Sequence, residues 1–469
     1  DADAGVLYST EEINLIPNTM NDNRSFLDRM NHWTKNSIGL KIFTMVFLVL
    51  ILLIPINMVE GLIWERESYR QEALNEISDV WGRQQTITGL VLTVPFYRYT
   101  TGKDDKGNEK VYKTTHLAHF LPEALNIKGI IEPERRHRGI YEVVVYTSKL
   151  SLDGSFVRPD FEKLNIHTGD VEWSQAYVSL GFTDLRTIQN EVTLDWAGTK
   201  LRFDPGVNDT DVLNSGISTA VPIDGDIQKY SFAFDLNFNG SDGMNFSPLG
   251  KVSIVDLSST WPDPKFNGAF FPDNRNPDEN GFTAHWEVLH LNRNFPQEFE
   301  GSIQTINSAN FGVDLIMPVD QYQKSTRSMK YAVMIISLTF LIFFFSQIKN
   351  NLRIHPIQYL IVGLALCLFF ILLIALSEHI GFGKAYLAGS AAIIGVITAY
   401  SFSFYKDKRL PMLLLGILIL LYGFIYIIIQ LQDYSLLIGS IGLFLILAAV
   451  MYLSRNIDWY GNVGEIAQE

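Results

Sequence analysis

The chain has 469 residues, of which 47% are hydrophobic and 19% charged, and its mean hydropathy is slightly positive at +0.12. A soluble domain typically carries about 25% charged residues; here the shortfall is confined to long apolar runs, which excludes a wholly soluble chain. The net charge of −13 excludes the basic face that a nucleic-acid partner needs, and a single cysteine, Cys367, within an apolar run excludes disulfide or thiolate-metal chemistry elsewhere.

Residues 1–19 are acidic and unpatterned, and Met20 reads as a natural start, so this segment is expected to be a flexible tail or foreign to the native chain. Residues 38–59 supply the roughly 20 apolar residues that cross a hydrocarbon core about 30 Å thick. Pro55 predicts a kink near the end of this span. The run is longer than a signal-peptide core, and no small-residue cleavage site follows, so it reads as a retained anchor. Ile63, Tyr69, Leu74, Ile77 and Trp81 then recur at mostly helical spacing among Glu65, Arg66, Glu67, Arg70 and Glu76. This predicts a helical stalk that ends near Gly82 and holds a following domain at a fixed distance.

The period then changes to two. Residues 88–100 and 110–120 flank a polar turn at 102–108 and predict a hairpin. Further strands are expected over 139–152, 171–182, 192–203, 230–238, 251–257, 282–291 and 311–317. Many short strands with few helical segments predict an all-β, sandwich-like domain. No fixed-period repeat is visible.

Five more apolar runs follow at 331–346, 357–376, 382–404, 410–429 and 434–453. The first of these is short, and its apolar face extends back into 325–330. Pro356 and Pro411 stand at first turns, where a missing N–H costs little. Arg24, Arg29, Lys35, Lys41, Lys349, Arg353, Lys406, Lys408, Arg409 and Arg455 fall on one face of the membrane, whereas the alternate loops carry only Glu378, His379, Lys384 and Asp433. The positive-inside rule then makes both termini cytoplasmic. The expected order is a cytoplasmic tail (1–37), a first span (38–60), a stalk (61–82), a β-rich domain (83–329), spans two to six (330–454) and a cytoplasmic tail (455–469). The expected fold is therefore a bundle of six transmembrane helices with a large extracytoplasmic β domain inserted between helices one and two. In a bacterium that domain is periplasmic.

Several stretches carry a family resemblance. Trp261-Pro262-Asp263-Pro264-Lys265-Phe266-Asn267-Gly268 is followed by Phe271-Pro272 and by Gly281-Phe282-Thr283-Ala284-His285-Trp286. Asp320-Gln321-Tyr322-Gln323, Lys330-Tyr331-Ala332, and the run from His355-Pro356-Ile357-Gln358-Tyr359 onward come next. Ala375-Leu376-Ser377-Glu378-His379 and Arg455-Asn456-Ile457-Asp458-Trp459-Tyr460 close the series. In this order they resemble the CreD family of bacterial inner-membrane proteins, also called cell envelope integrity proteins. The resemblance covers nearly the whole chain from the first span and implies an inner-membrane location. It also implies a role in envelope stress, linked to β-lactam response and colicin tolerance. It supplies no established catalytic residues.

The residues themselves offer a few candidates. Glu378 and His379 are ionisable groups near a span, which are costly and often functional. As neighbours at i, i+1 they do not share a helix face, and they stand at the outer end of the third span. They therefore read either as an interfacial helix end bonded to the soluble domain or as a proton or ligand site. His355, before Pro356, reads as a polar cap, with a pH switch as the alternative. Trp261 and Trp286 read as core aromatics or as stacking platforms for envelope sugars; His285 belongs to the same patch. Small residues at Ala385, Gly389, Ala392, Gly395 and Ala399 read as a close-packing stripe or a dimer face. The polar turn 274–281 lacks the glycine and glutamate of an EF-hand loop. No His-Glu-x-x-His, nucleophile elbow or phosphate loop is present, so no cofactor and no metal are expected.

Three functions follow. The first is a non-enzymatic envelope-integrity protein whose β domain binds an envelope protein or glycan partner while the helices sit in the lipid bilayer. The second is a membrane-embedded enzyme or a lipid- or glycan-handling protein with a site near Glu378 and His379. A transporter is the least supported, because the spans contain almost no charge. Neither the ligand nor the oligomeric state is legible.

Overall fold

A computed structural model describes residues 38–103, 109–224, 227–303, 305–317, 321–350, 354–405, 407–431 and 434–455. The expectations for the tails, for the turn at 104–108, and for Asp320, Arg353, Lys406 and Asp433 lie outside the described residues. So do positions 456–460 of the last family-like motif. The chain divides into two compact units. One comprises Asp1–Glu60, Arg327–Leu373 and Gly383–Glu469; the other comprises Gly61–Thr326 and Ile374–Phe382.

The first unit is helical. Its elements are the N-terminal half of α1 (Ile38–Trp81), the end of α2 (Gln321–Met329), α3 (Ala332–Lys349), most of α4 (Pro356–Ile380), α5 (Phe382–Ser401), α6 (Arg409–Gln430) and α7 (Ser435–Ser454). Among the described residues, five helices are long and apolar enough to cross a membrane, or six if α2 and α3 are taken as one broken span. Where a short second span is expected, the two helices α2 and α3 meet at a 43° bend. Helix α1 runs unbroken through Pro55, so the first span and the stalk are one element.

Aromatic wedges hold the helices together. Phe369 packs edge-on against both Tyr386 and Tyr422, and the Tyr386 hydroxyl donates to the Tyr422 carbonyl at 2.8 Å. This satisfies a polar atom that no water reaches. Ala385 and Gly389 of the small-residue stripe are buried, with Gly389 against the Phe369 ring, whereas Ala392, Gly395 and Ala399 are exposed. The stripe is therefore not one face. Outward faces carry bare apolar side chains, such as Leu420, Leu436 and Phe444, as lipid contact requires.

The second unit is β-rich. Its strands in chain order begin with β1 (Gln85–Lys103), β2 (Glu109–Phe120), β3 (Ala124–Arg138), β4 (Tyr141–Val157), β5 (Tyr177–Phe182) and β6 (Thr193–Trp196). Next come β7 (Thr199–Arg202), β8 (Asp204–Pro205), β9 (Gly216–Ala220), β10 (Lys229–Ser241), β11 (Gly243–Ser247) and β12 (Val252–Ser259). The last are β13 (Pro264–Gly268), β14 (Asn274–Asp278), β15 (Gly281–Leu289), β16 (Glu298–Glu300) and β17 (Phe311–Leu315). The first sheet has the order β13-β17-β11-β1-β5-β9-β8, with β2 on β1 and β16 on β2. The second has the order β14-β15-β12-β3-β4-β10-β6-β7. One apolar core joins residues of both sheets, including Leu92, Val178 and Phe311 from the first and Leu152, Leu236 and Trp286 from the second.

The sequence pattern explains most of these elements. In β10 burial alternates almost without fault from Lys229 onward, which is the half-buried strand period. β1 is almost entirely buried through its first dozen residues because it is paired on both sides. The single strand expected over 192–203 is instead the hairpin β6–β7. Ala197 (φ 49°) and Gly198 (φ 86°) form its two-residue turn, with Trp196 opposite Thr199. Two adjacent residues at positive φ give the turn whose twist matches the strands. Gly82, at φ 121°, ends α1 as the sequence suggests, in a corner where a Cβ would strike Thr187.

Candidate functional site

The second sheet buries one face and presents the other to solvent, where it forms an open trough with a volume of about 1000 Å³. The pairing register sets out what lines it. His285 stands opposite Asp256, Asp256 beside Lys128, Lys128 opposite Ser151, and Ser151 opposite Asp235. This is one straight row across five strands. A second row, two residues along, runs Thr283, Ser258, Ile130, Lys149, Asn237. Asn274 and Asn276 of β14 extend the two rows by one strand. With neighbouring strands about 4.8 Å apart, six strands make a plateau about 24 Å wide.

The plateau is polar and of mixed charge. His285 Nδ1 donates to Asp256 Oδ1 at 2.6 Å, which fixes the ring and leaves Nε2 as its second polar atom. Lys149 Nζ is 2.9 Å from Glu132 at the rim. Ile130, 52% exposed, is the large apolar side chain on this face. No Phe, Tyr or Trp is among the residues that line the trough. Apart from the His285 imidazole, the surface therefore offers hydrogen bonds and charge at fixed spacing and no ring on which a sugar could stack.

Of the residues singled out in the sequence, His285 lies in this trough. Trp261 and Trp286 do not: they are 4% and 0% exposed. Their indole N–H groups donate to the carbonyls of Ile316 (3.0 Å) and Phe270 (3.3 Å). Trp286 packs against Phe266 and Phe311. Both are core aromatics, the first of the two readings given to them.

Glu378 lies in the last turn of α4, with its side chain 8% exposed. The Tyr322 hydroxyl donates to Glu378 Oε1 at 2.8 Å, and Arg66 Nε lies 4.0 Å from the same oxygen. The carboxylate thus ties α4 to α2 and to the outer half of α1 within the second unit. His379, next to it, is exposed, so the two do share no face. His355 is an exposed helix-end residue: its backbone N–H donates to Gln358 Oε1 at 2.8 Å, and its Nδ1 accepts from the Ile357 N–H at 3.3 Å. That is the capping role expected of it.

The other lining residues carried no site signal in the sequence, and Asn274 and Asn276, expected in a polar turn over 274–281, stand instead on strand β14. Lys128 and Ile130 belong to β3, whose latter half reads Glu132-Pro133-Glu134-Arg135-Arg136-His137-Arg138 and looks like a solvated loop. The available signal was alternation in Leu125, Ile127 and Ile131, which are buried at every second or fourth position.

Comparison with known proteins agrees with this architecture. The family model for "Inner membrane protein CreD" matches residues 37–460. The Inner membrane protein CreD of Escherichia coli (strain K12) is 34% identical over 420 residues, covering 88% of this chain and 91% of the relative. The match runs through the apolar helices and the β-rich unit alike, and the chain accordingly belongs to the CreD family of inner membrane proteins.

Proposed function

We propose that the chain crosses the inner membrane six times, holds both termini in the cytoplasm, and carries its β-rich sandwich in the periplasm between the first and second spans. There it supports envelope integrity by binding a polar glycan-peptide of the envelope along the trough of the second sheet. Loop charge asymmetry supports the orientation. The envelope role follows from the family resemblance. The observation that carries the ligand is the in-register pair of rows, His285-Asp256-Lys128-Ser151-Asp235 and its neighbour.

Such rows suit a repeating, extended ligand. Hydroxyl, amide and carboxylate groups along a glycan-peptide meet alternating acceptors and cations, and a lattice of rigid strands holds those groups without further ordering. Since the lining has no Phe, Tyr or Trp, recognition rests mainly on hydrogen bonds and not on ring stacking.

The test is binding of soluble muropeptides to the detergent-purified full-length protein. Asp256→Ala and Lys128→Ala should each weaken binding tenfold or more, since a hydrogen bond to a charged group contributes about 1.5–3 kcal/mol. Lys113→Ala, on β2 of the other sheet, should leave it unchanged. If muropeptides do not bind, or bind the trough variants as well as the parent, the trough is not the site.

A further inference from the structure

A second cluster lies on the first sheet, apart from the trough. His119 is on β2, and Asp209 and Asp211 lie in the loop between β8 and β9. One ligand atom from each falls within 4.8 Å of the other two. The His119 side chain has no exposed surface, whereas Asp211 keeps 43% of its own.

The surroundings of His119 anchor its Nδ1. Its register partner across the strands is Thr93, which is also the register partner of Tyr177. His119 Nδ1 lies 3.0 Å from Thr93 Oγ1. Tyr177, across Thr93 in the same sheet, donates its hydroxyl proton to Asp209 Oδ2 at 2.6 Å. The tautomer with its proton on Nδ1 donates to Thr93 and leaves Nε2 a lone pair.

Nε2 is buried and has no hydrogen-bond partner. It faces Asp211 Oδ2 at 4.0 Å, too far for a hydrogen bond. An imidazole with one nitrogen held by a hydroxyl and the other aimed at two carboxylates is the arrangement of a metal-ligating histidine with its outer-shell partners.

We propose that His119 Nε2, Asp209 and Asp211 bind a divalent first-row transition-metal ion, with water completing its coordination. Imidazole together with carboxylates selects such an ion over calcium or magnesium, which take oxygen ligands alone. Ligand atoms about 2.1 Å from a tetrahedral ion stand about 3.4 Å apart. The present separations must close by about an ångström, and the exposed side chain of Asp211 is free to turn by that much. The ion would fasten the loop carrying Leu213, which packs in a satellite core with Phe295 and Phe299, onto the first sheet.

The experiment uses full-length protein in detergent, without a histidine tag and stripped with chelator. Equilibrium dialysis with Zn²⁺ or Mn²⁺, read by elemental analysis, should give one ion per chain, and thermal unfolding should shift upward with the bound ion. Asp211→Asn, at a half-exposed position, should fold as the parent does and weaken binding at least tenfold; Asp209→Asn should do the same. His119→Gln adds a third arm, interpreted only if its circular dichroism matches the parent. Equal binding by the parent and both aspartate variants would place the ion elsewhere and overturn the proposal. Absence of zinc and manganese binding at 100-fold excess over protein, or stabilisation by Ca²⁺ or Mg²⁺ alone, would also overturn it.

Discussion

Arg293 shows how a charge survives inside this domain without a carboxylate. It is 8% exposed, and its guanidinium donates to the carbonyls of Phe295 at 2.8 Å and Leu249 at 3.0 Å, to the Gly250 carbonyl, and to Gln297 Oε1. Burial pushes its pKa down to about 10, so it remains protonated at neutral pH. A planar fork of five N–H donors can serve these spread acceptors together, whereas a lysine ammonium offers three donors from a single point. Arg293→Ala strands these acceptors and should destabilise the domain by about 3 kcal/mol. Arg293→Lys should recover only part of that. Thermal unfolding of the detergent-purified protein measures both, and a change within error for Arg293→Ala would show that water replaces the guanidinium at no cost.

At the level of elements, the end of α4 separates two adjacent residues. Glu378 accepts from Tyr322 and lies near Arg66, whereas His379 is exposed. Glu378→Ala should cost about 1.5–3 kcal/mol, the worth of a hydrogen bond to a charged acceptor. His379→Ala should fall within about 0.5 kcal/mol, as surface changes do. Equal effects in a thermal-shift assay would refute this division. The sequence makes Glu378 conspicuous, but its partners, Arg66 and Tyr322, stand 312 and 56 positions away, and no periodicity joins such distances. The apolar helices were legible because bilayer thickness imposes length and composition together. Strands such as β10 and β12 were legible through their period of two. β3 was not, because it ends in a ribbon with β4 whose register reaches Arg138 opposite Tyr141, and a ribbon in water needs no apolar alternation. The row through Asp256 and Lys128 was hidden for a related reason: the two residues become neighbours only through a parallel pairing of strands 128 positions apart.

For the whole molecule, the proposed orientation makes a prediction independent of any ligand. On a Cys367→Ala background, a cysteine at Arg275, exposed on β14, should react with an impermeant maleimide in intact spheroplasts. A cysteine at Lys408, just before α6, should react only after the membrane is opened. Reaction of both from the same side would invert or break the proposed topology. The native thiol is buried, so its removal should alter the membrane unit little.

The pairing of β1 with β11 sets a clock on folding. β1 is the first strand after α1, yet its parallel neighbour begins at Gly243, and that neighbour is closed in turn by β17 at Phe311–Leu315. Contacts between residues so far apart in sequence form slowly. If the chain emerges from a translocation pore N-terminus first, a sheet begun by the earliest strand stays open along one edge until the latest has cleared the pore. During that interval the apolar face of β1 has only β2 and β5 beside it, and an unpaired edge is a site for association with other chains. Chaperone dependence of this protein should therefore be set by the rate of export of its final strands rather than by the stability of its finished core.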